Sequence, residues 1–114
     1  MFITGAVAYF CTNIVVPSLI PLMPLITLTS DIGQKDYLAG AIKGQLLQAV
    51  PGCMVVDISH ELTPFNYPRA AYLCRNAIKN FPDFTFHIVL VNLFENRFDH
   101  LLLAFHNQQY ILCA

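Results

Sequence analysis

Charge is scarce in this chain. Asp, Glu, Lys and Arg make up 11% of its 114 residues, against the roughly 25% of an ordinary soluble domain, and none of them precedes Asp31. A surface so poor in charge is either sparingly solvated or covered by a partner, so self-association is the expectation. Six basic residues against seven acidic ones leave a net charge near −1, with no Lys/Arg cluster. Nucleic acid is thereby disfavoured as a partner, because binding a phosphate backbone depends on clustered cations. CxxC pairs are missing as well. Cys11, Cys53, Cys74 and Cys113 are far apart, a spacing that suits neither a zinc site nor a dense disulfide framework. Buried, reduced thiols in a cytosolic protein are the plain expectation. No GxGxxG and no GxxxxGKS/T occurs, which disfavours dinucleotide-binding and P-loop enzymes.

Basic residues are absent before Lys35, so the apolar start MFITGAVAYFCTNIVVPSLIPLMPL lacks the n-region of a signal peptide. Pro17, Pro21 and Pro24 interrupt it, and its cleanest run, Ile3 to Val16, is 14 residues, short of the ~20 that a membrane-spanning helix needs. Residues 1–24 therefore read as an apolar extension, with Met23 as the candidate natural start. A signal or anchor, and an integral structural role, are the alternatives. Cytoplasmic location is expected, with membrane association disfavoured.

From Leu25 onward the segments alternate in type. LITLT is a short β-branched run and reads as a strand, after which Gly33 opens a loop. Leu38, Ile42, Leu46 and Ala49 recur at helical spacing, Asp36 stands where it can cap that helix, and Pro51-Gly52 closes it. CMVVDI is a second strand. SHELTPFNYP is a loop whose Pro68 suits the first turn of a second helix, amphipathic through Ala70, Leu73, Cys74, Ala77, Ile78 and Phe81. FTFHIVLV is a third strand, apolar enough to be covered on both faces. This βαβαβ order predicts an α/β fold, a parallel sheet with right-handed crossovers. HLLLAF and QYILCA then read as a hairpin, and the chain stops at Ala114 inside its second strand. A sheet edge left unfinished in this way points to a longer parent domain, of which residues 25–114 are an incomplete part.

In parallel α/β sheets ligands bind beyond the carboxyl ends of the strands. Three polar clusters fall at that edge: Ser30-Asp31 with Asp36; Asp57, Ser59, His60 and Glu61; and Asn92. A carboxylate there can accept from both hydroxyls of a ribose, and a second can pair with an ammonium group. On spacing alone, Asp31 and Asp36 can equally be a turn-former and a helix cap. His60 is a solvated loop residue or one at the edge of a site; no second His lies at ligand spacing, so no metal is expected. His100 and His106 are read as surface residues around the hairpin. Phe65 is a core anchor or a stacking face for a base.

Taken in order, the motifs TSDIG, AIKG, VVDISHELTPF and AAYL resemble the N-terminal domain of the S-adenosylmethionine hydroxide adenosyltransferases, relatives of the S-adenosylmethionine-dependent fluorinase and chlorinase. The resemblance covers residues 25 to about 92 and continues more weakly to 114. It implies a sheet with helices on both faces, followed by a β-barrel domain that would lie beyond Ala114, and a homotrimer in the full-length protein. The implied substrate is S-adenosylmethionine, with adenosine and methionine as products of attack by water at the 5′ carbon. By the same resemblance, Asp31 holds the ribose hydroxyls, Asp36 faces the methionine amino group, and Phe65 lines the pocket as an aromatic wall. Three positions depart from the family pattern. Asn92 stands where the family has a water-activating Asp, and becomes the candidate catalytic as well as binding residue. Asp99 falls close to the position of a family Arg that completes the water-activating set, with Arg97 as its spatial substitute. Phe84 replaces a glycine before the third strand, which predicts a differently shaped loop. Three functional readings stay open: a diverged S-adenosylmethionine adenosyltransferase, a non-catalytic nucleoside-binding or assembly module, and an inactive fragment.

Overall fold

The computed structural model describes residues 23–92 and 101–114. The expectations for residues 1–22, for Arg97 and Asp99 near the family's Arg position, and for His100 lie outside the described residues. Strand β1 is Leu25–Ser30, helix α1 Leu38–Ala49, β2 Met54–Ser59, α2 Tyr67–Ile78, β3 Phe86–Leu90, β4 Leu102–His106 and β5 Gln109–Cys113. The sheet order is β2-β1-β3-β5-β4. β1 pairs in parallel with β2 and β3, β3 with β5, and only β4 runs antiparallel, against β5.

Alternation along the strands explains why two helices suffice to cover a central sheet. Ile26, Leu28, Ile88, Leu90 and Leu112 face one way and pack with Ile42 and Leu46 of α1. Val89 and Val91 face the other way and pack with Ala70, Leu73 and Cys74 of α2. The period of a strand sends successive residues to opposite faces, so β3 is apolar on both, His87 excepted, as expected for a doubly covered strand. Thr27 and Thr29 on the α2 side are fully buried yet satisfied. Thr27 Oγ1 lies 2.6 Å from His87 Nδ1 on the paired strand, and Thr29 hydrogen-bonds Cys74.

Local chemistry sets the helix ends. Asn66 is the N-cap of α2, its side-chain oxygen accepting from Arg69 N–H at 3.0 Å with Pro68 in the first turn. α1 differs from expectation: Tyr37 occupies its N-cap position without a side-chain bond, and Asp36 accepts from the Tyr37 N–H at 2.6 Å, one residue too early to cap the first turn.

One further expectation is corrected. The last strand is no edge, because β5 inserts between β3 and β4 and leaves β4 outermost. Phe84, where the resemblance implies a differently shaped loop, holds φ 65°, in the left-handed region that glycine visits without steric cost. Its N–H donates to Gln108 C=O at 2.6 Å, which ties that conformation to the hairpin turn.

Candidate functional site

Strands β1, β2 and β3 end side by side, and their carboxyl ends deliver Ser30-Asp31, Ser59-His60 and Val91-Asn92 to one edge of the sheet. Asp31 is the meeting point. Its carboxylate accepts from Asn92 N–H at 3.1 and 3.3 Å and from Phe65 N–H at 3.3 Å, while its own N–H continues the ladder to Leu90 C=O. Thus one side chain after β1 ties down the loops after β2 and β3. Both donors adopt left-handed backbone, Phe65 at φ 61° and Asn92 at φ 63°. Non-glycine residues held there carry strain, which is tolerated where the surroundings over-determine the conformation and which clusters at ligand sites. Sequence spacing brought Asp31 and Asn92 to the same edge; that both would grip through Asp31 was not readable, because backbone amide directions depend on φ.

Phe65 is no core anchor. It is 59% exposed beside the Asp31 carboxylate, leaving its ring free to form a wall. Asp36 is exposed on the same turn, bonding only locally to Tyr37.

His60 corrects the reading of a solvated loop residue. It is 2% exposed and links two groups. Nε2 lies 2.9 Å from Asp57 Oδ1, and Nδ1 lies 2.5 Å from Ser30 Oγ. An ionised carboxylate only accepts, so Nε2 carries the proton given to Asp57, and in the neutral ring Nδ1 accepts from the Ser30 hydroxyl. Lys43 Nζ of α1 completes the series, donating to Asp57 Oδ2 at 2.8 Å. Burial works to raise the Asp57 pKa, but the hydrogen bonds from Lys43 and His60 outweigh it and hold the carboxyl below its ordinary range. Ser, His and Asp in a row invite comparison with a hydrolase triad, and two facts exclude it. Ser30 has no exposed surface from which to attack a substrate. The ring is also reversed, with serine on Nδ1 and aspartate on Nε2, the opposite of the nucleophile-base arrangement.

Of the remaining thiols, Cys53 is buried and Cys74 and Cys113 are half-buried; all three are free, and burial raises the pKa of each. Among the described residues no group of three or more His, Cys, Asp or Glu side chains is placed to hold a metal ion, and no helix is long and apolar enough to cross a membrane. A groove of about 1110 Å³ runs between α2 and the hairpin, lined by Ala70, Cys74, Ile78, Val91 and Ile111 and reaching Asn92. It meets the carboxylate cluster only there. The functional reading rests on the cluster, whose fixed polar groups can orient a charged ligand as an apolar groove cannot.

A model of the SAM hydroxide adenosyltransferase N-terminal domain matches residues 26–114. An (R)-S-adenosyl-L-methionine hydrolase of Methanocaldococcus jannaschii is 35% identical over 75 residues, which is 62% of this chain and 28% of that protein. A fluorinase of an Actinoplanes species is 32% identical over 62 residues, 54% of this chain and 21% of that protein. The (R)-S-adenosyl-L-methionine hydrolase of Thermus thermophilus is 37% identical over 54 residues, 47% of this chain and 21% of that protein. Two solved structures share the fold. A conserved hypothetical protein from Thermus thermophilus has a TM-score of 0.69 at 25% identity, covering 80% of this chain and 38% of that one. An uncharacterized conserved protein from Thermotoga maritima has a TM-score of 0.70 at 27% identity, covering 78% and 34%. The chain matches about a quarter of the length of these curated relatives.

Proposed function

This chain belongs to the family of S-adenosylmethionine hydroxide adenosyltransferase N-terminal domains, and on that footing we propose that its strand-end cluster binds S-adenosylmethionine by the adenosine end. The observation that carries this reading is the Asp31 carboxylate, fixed at the end of β1 by the Phe65 and Asn92 amides. A carboxylate offers about four acceptor positions, so one held on one side by backbone N–H groups keeps capacity for a vicinal diol on the other. Phe65, exposed beside it, supplies an apolar wall, and exposed Asp36 supplies a partner for the amino group of the methionine portion.

In the complete reaction proposed for the family's chemistry, water attacks the 5′ carbon, the C5′–S bond breaks as the C5′–O bond forms, and methionine, adenosine and a proton leave. The sulfonium is already a good leaving group, so the protein chiefly has to align the water and strip part of its hydration. Asn92 can orient that water by hydrogen bonding, but an amide cannot take its proton. That substitution favours a second reading for this chain, a nucleoside-binding module without turnover.

Calorimetry on the full chain tests the proposal. Adenosine and S-adenosylmethionine should both bind, and Asp31→Asn should weaken each by about tenfold or more, the worth of a charge-assisted hydrogen bond. Absence of heat with either ligand at millimolar concentration, or equal affinity in the variant, would sink the proposal. Release of adenosine from S-adenosylmethionine by the purified chain would discard the second reading.

A further inference from the structure

We infer that Lys43, Asp57, His60 and Ser30 form a positioning relay that sets the Asp31 carboxylate for its ligand. The inference rests on the reading of Asp31 as the diol acceptor, and concerns residues that this reading does not use. His60 grips the turn after β1 twice: Nδ1 holds the Ser30 hydroxyl, and its carbonyl accepts from Gly33 N–H at 2.7 Å. Gly33, at φ 77°, is the residue able to present its amide there. Two residues further along, Leu62 N–H donates to Ser30 C=O at 3.4 Å, and Phe65 N–H reaches Asp31 itself. Asp31 is thus flanked on both chain sides, at Ser30 and Gly33, by bonds that converge on one buried histidine.

His60, at 2% exposed, cannot reach a ligand arriving from solvent, so it acts through the Ser30 hydroxyl and the Gly33 amide, which it holds before and after Asp31. Asp57 fixes the ring's tautomer by accepting from Nε2–H, which in the neutral ring leaves Nδ1 to accept, and Lys43 from α1 fixes Asp57 in turn. Each link removes a rotational freedom from the next. The outermost groups, Lys43 and Asp57, are 36% and 28% exposed, while Ser30 and His60, nearest Asp31, are buried. Preorganising a binding group in this way lowers the ordering cost paid when the ligand arrives.

The test compares ligands with and without the diol. In the full chain, His60→Leu should weaken adenosine binding about tenfold, leave 2′,3′-dideoxyadenosine binding unchanged, and speed hydrogen exchange at the Phe65 and Asn92 amides but not at Leu28 or Ile88 within the sheet. His60→Asn, whose Oδ1 can stand near the position of Nδ1 and accept from Ser30, should restore most of the adenosine affinity. If His60→Leu does not fold, Asp57→Ala at the exposed end should give the same pattern in weaker form. Equal loss for both nucleosides with faster exchange throughout the sheet would mean a merely structural histidine and overturn the inference. Unchanged protection at Phe65 and Asn92 would overturn it whatever the ligand does. If the unaltered chain bound no adenosine while His60→Leu still freed those two amides, the relay would stand and the diol reading of Asp31 would fall.

Discussion

His87 is the side chain whose protonation the fold most clearly resists. Burial lowers its pKa from the ordinary 6.5, and Gln109 pulls weakly the other way. The Gln109 amide nitrogen is committed to the carbonyls of Ile78, Phe81 and Pro82, and His87 Nε2 has no hydrogen-bond partner among the described residues. A depressed pKa means that the unfolded chain takes up the proton first as pH falls. Stability should therefore be fully present above pH 6.5 and decline below it. Urea midpoints measured from pH 8 to pH 5 should show this slope, and His87→Gln should flatten it; an equal slope in the variant would assign it elsewhere. Asp57 has its own window at lower pH, because its pKa is held below 3.8 and its contribution is lost only as pH falls beneath that value. At this scale Asp31 was legible in the sequence and His60 was not. An acid after a β-branched run marks a strand end, whereas the burial of a loop histidine depends on what the fold brings against it, here Ser30, separated from it by thirty residues.

Among the elements, the β4–β5 hairpin shows how turn chemistry and sequence can disagree. Its tip, Asn107-Gln108, has φ 48° and 60°, the pair of left-handed residues a two-residue hairpin needs to match strand twist. Asn is suited to this and Gln is not. Gln108→Gly should stabilise the protein by about 1 kcal/mol, read as a higher urea midpoint at unchanged m-value, since only the Gln108 carbonyl serves the rest of the fold. The helices were legible because apolar spacing, Pro68 and Pro51-Gly52 all agree with the observed bounds. The cap of α1 was not, because Asp36 and Tyr37 differ by one position and capping geometry turns on such a step.

For the whole molecule, the two faces of the sheet are unequally finished at the hairpin. Every residue of β4 is exposed, including Leu102, Leu103 and Phe105, and β4 is the outer strand. An apolar edge without an inward charge or proline to blunt it invites association. Sedimentation velocity should show concentration-dependent self-association, reduced by Phe105→Lys; a monomer across the accessible range would refute this. The core is more ordinary. Leu28→Ala should cost about 2–5 kcal/mol in chemical denaturation, because Leu28 is fully buried between β2, β3 and α1.

Order along the chain was enough to establish the alternation of strands and helices, the parallel sheet, and the edge at which Asp31 and Asn92 lie, because hydrophobic period and strand direction are local properties. Tertiary structure alone decided that β5 slips inside β4, that Phe65 and Asn92 grip one carboxylate by backbone amides, and that His60 is buried against Ser30. Those outcomes depend on which distant segments share a neighbour and on the sign of a few φ angles, and neither is written in the spacing of residue types.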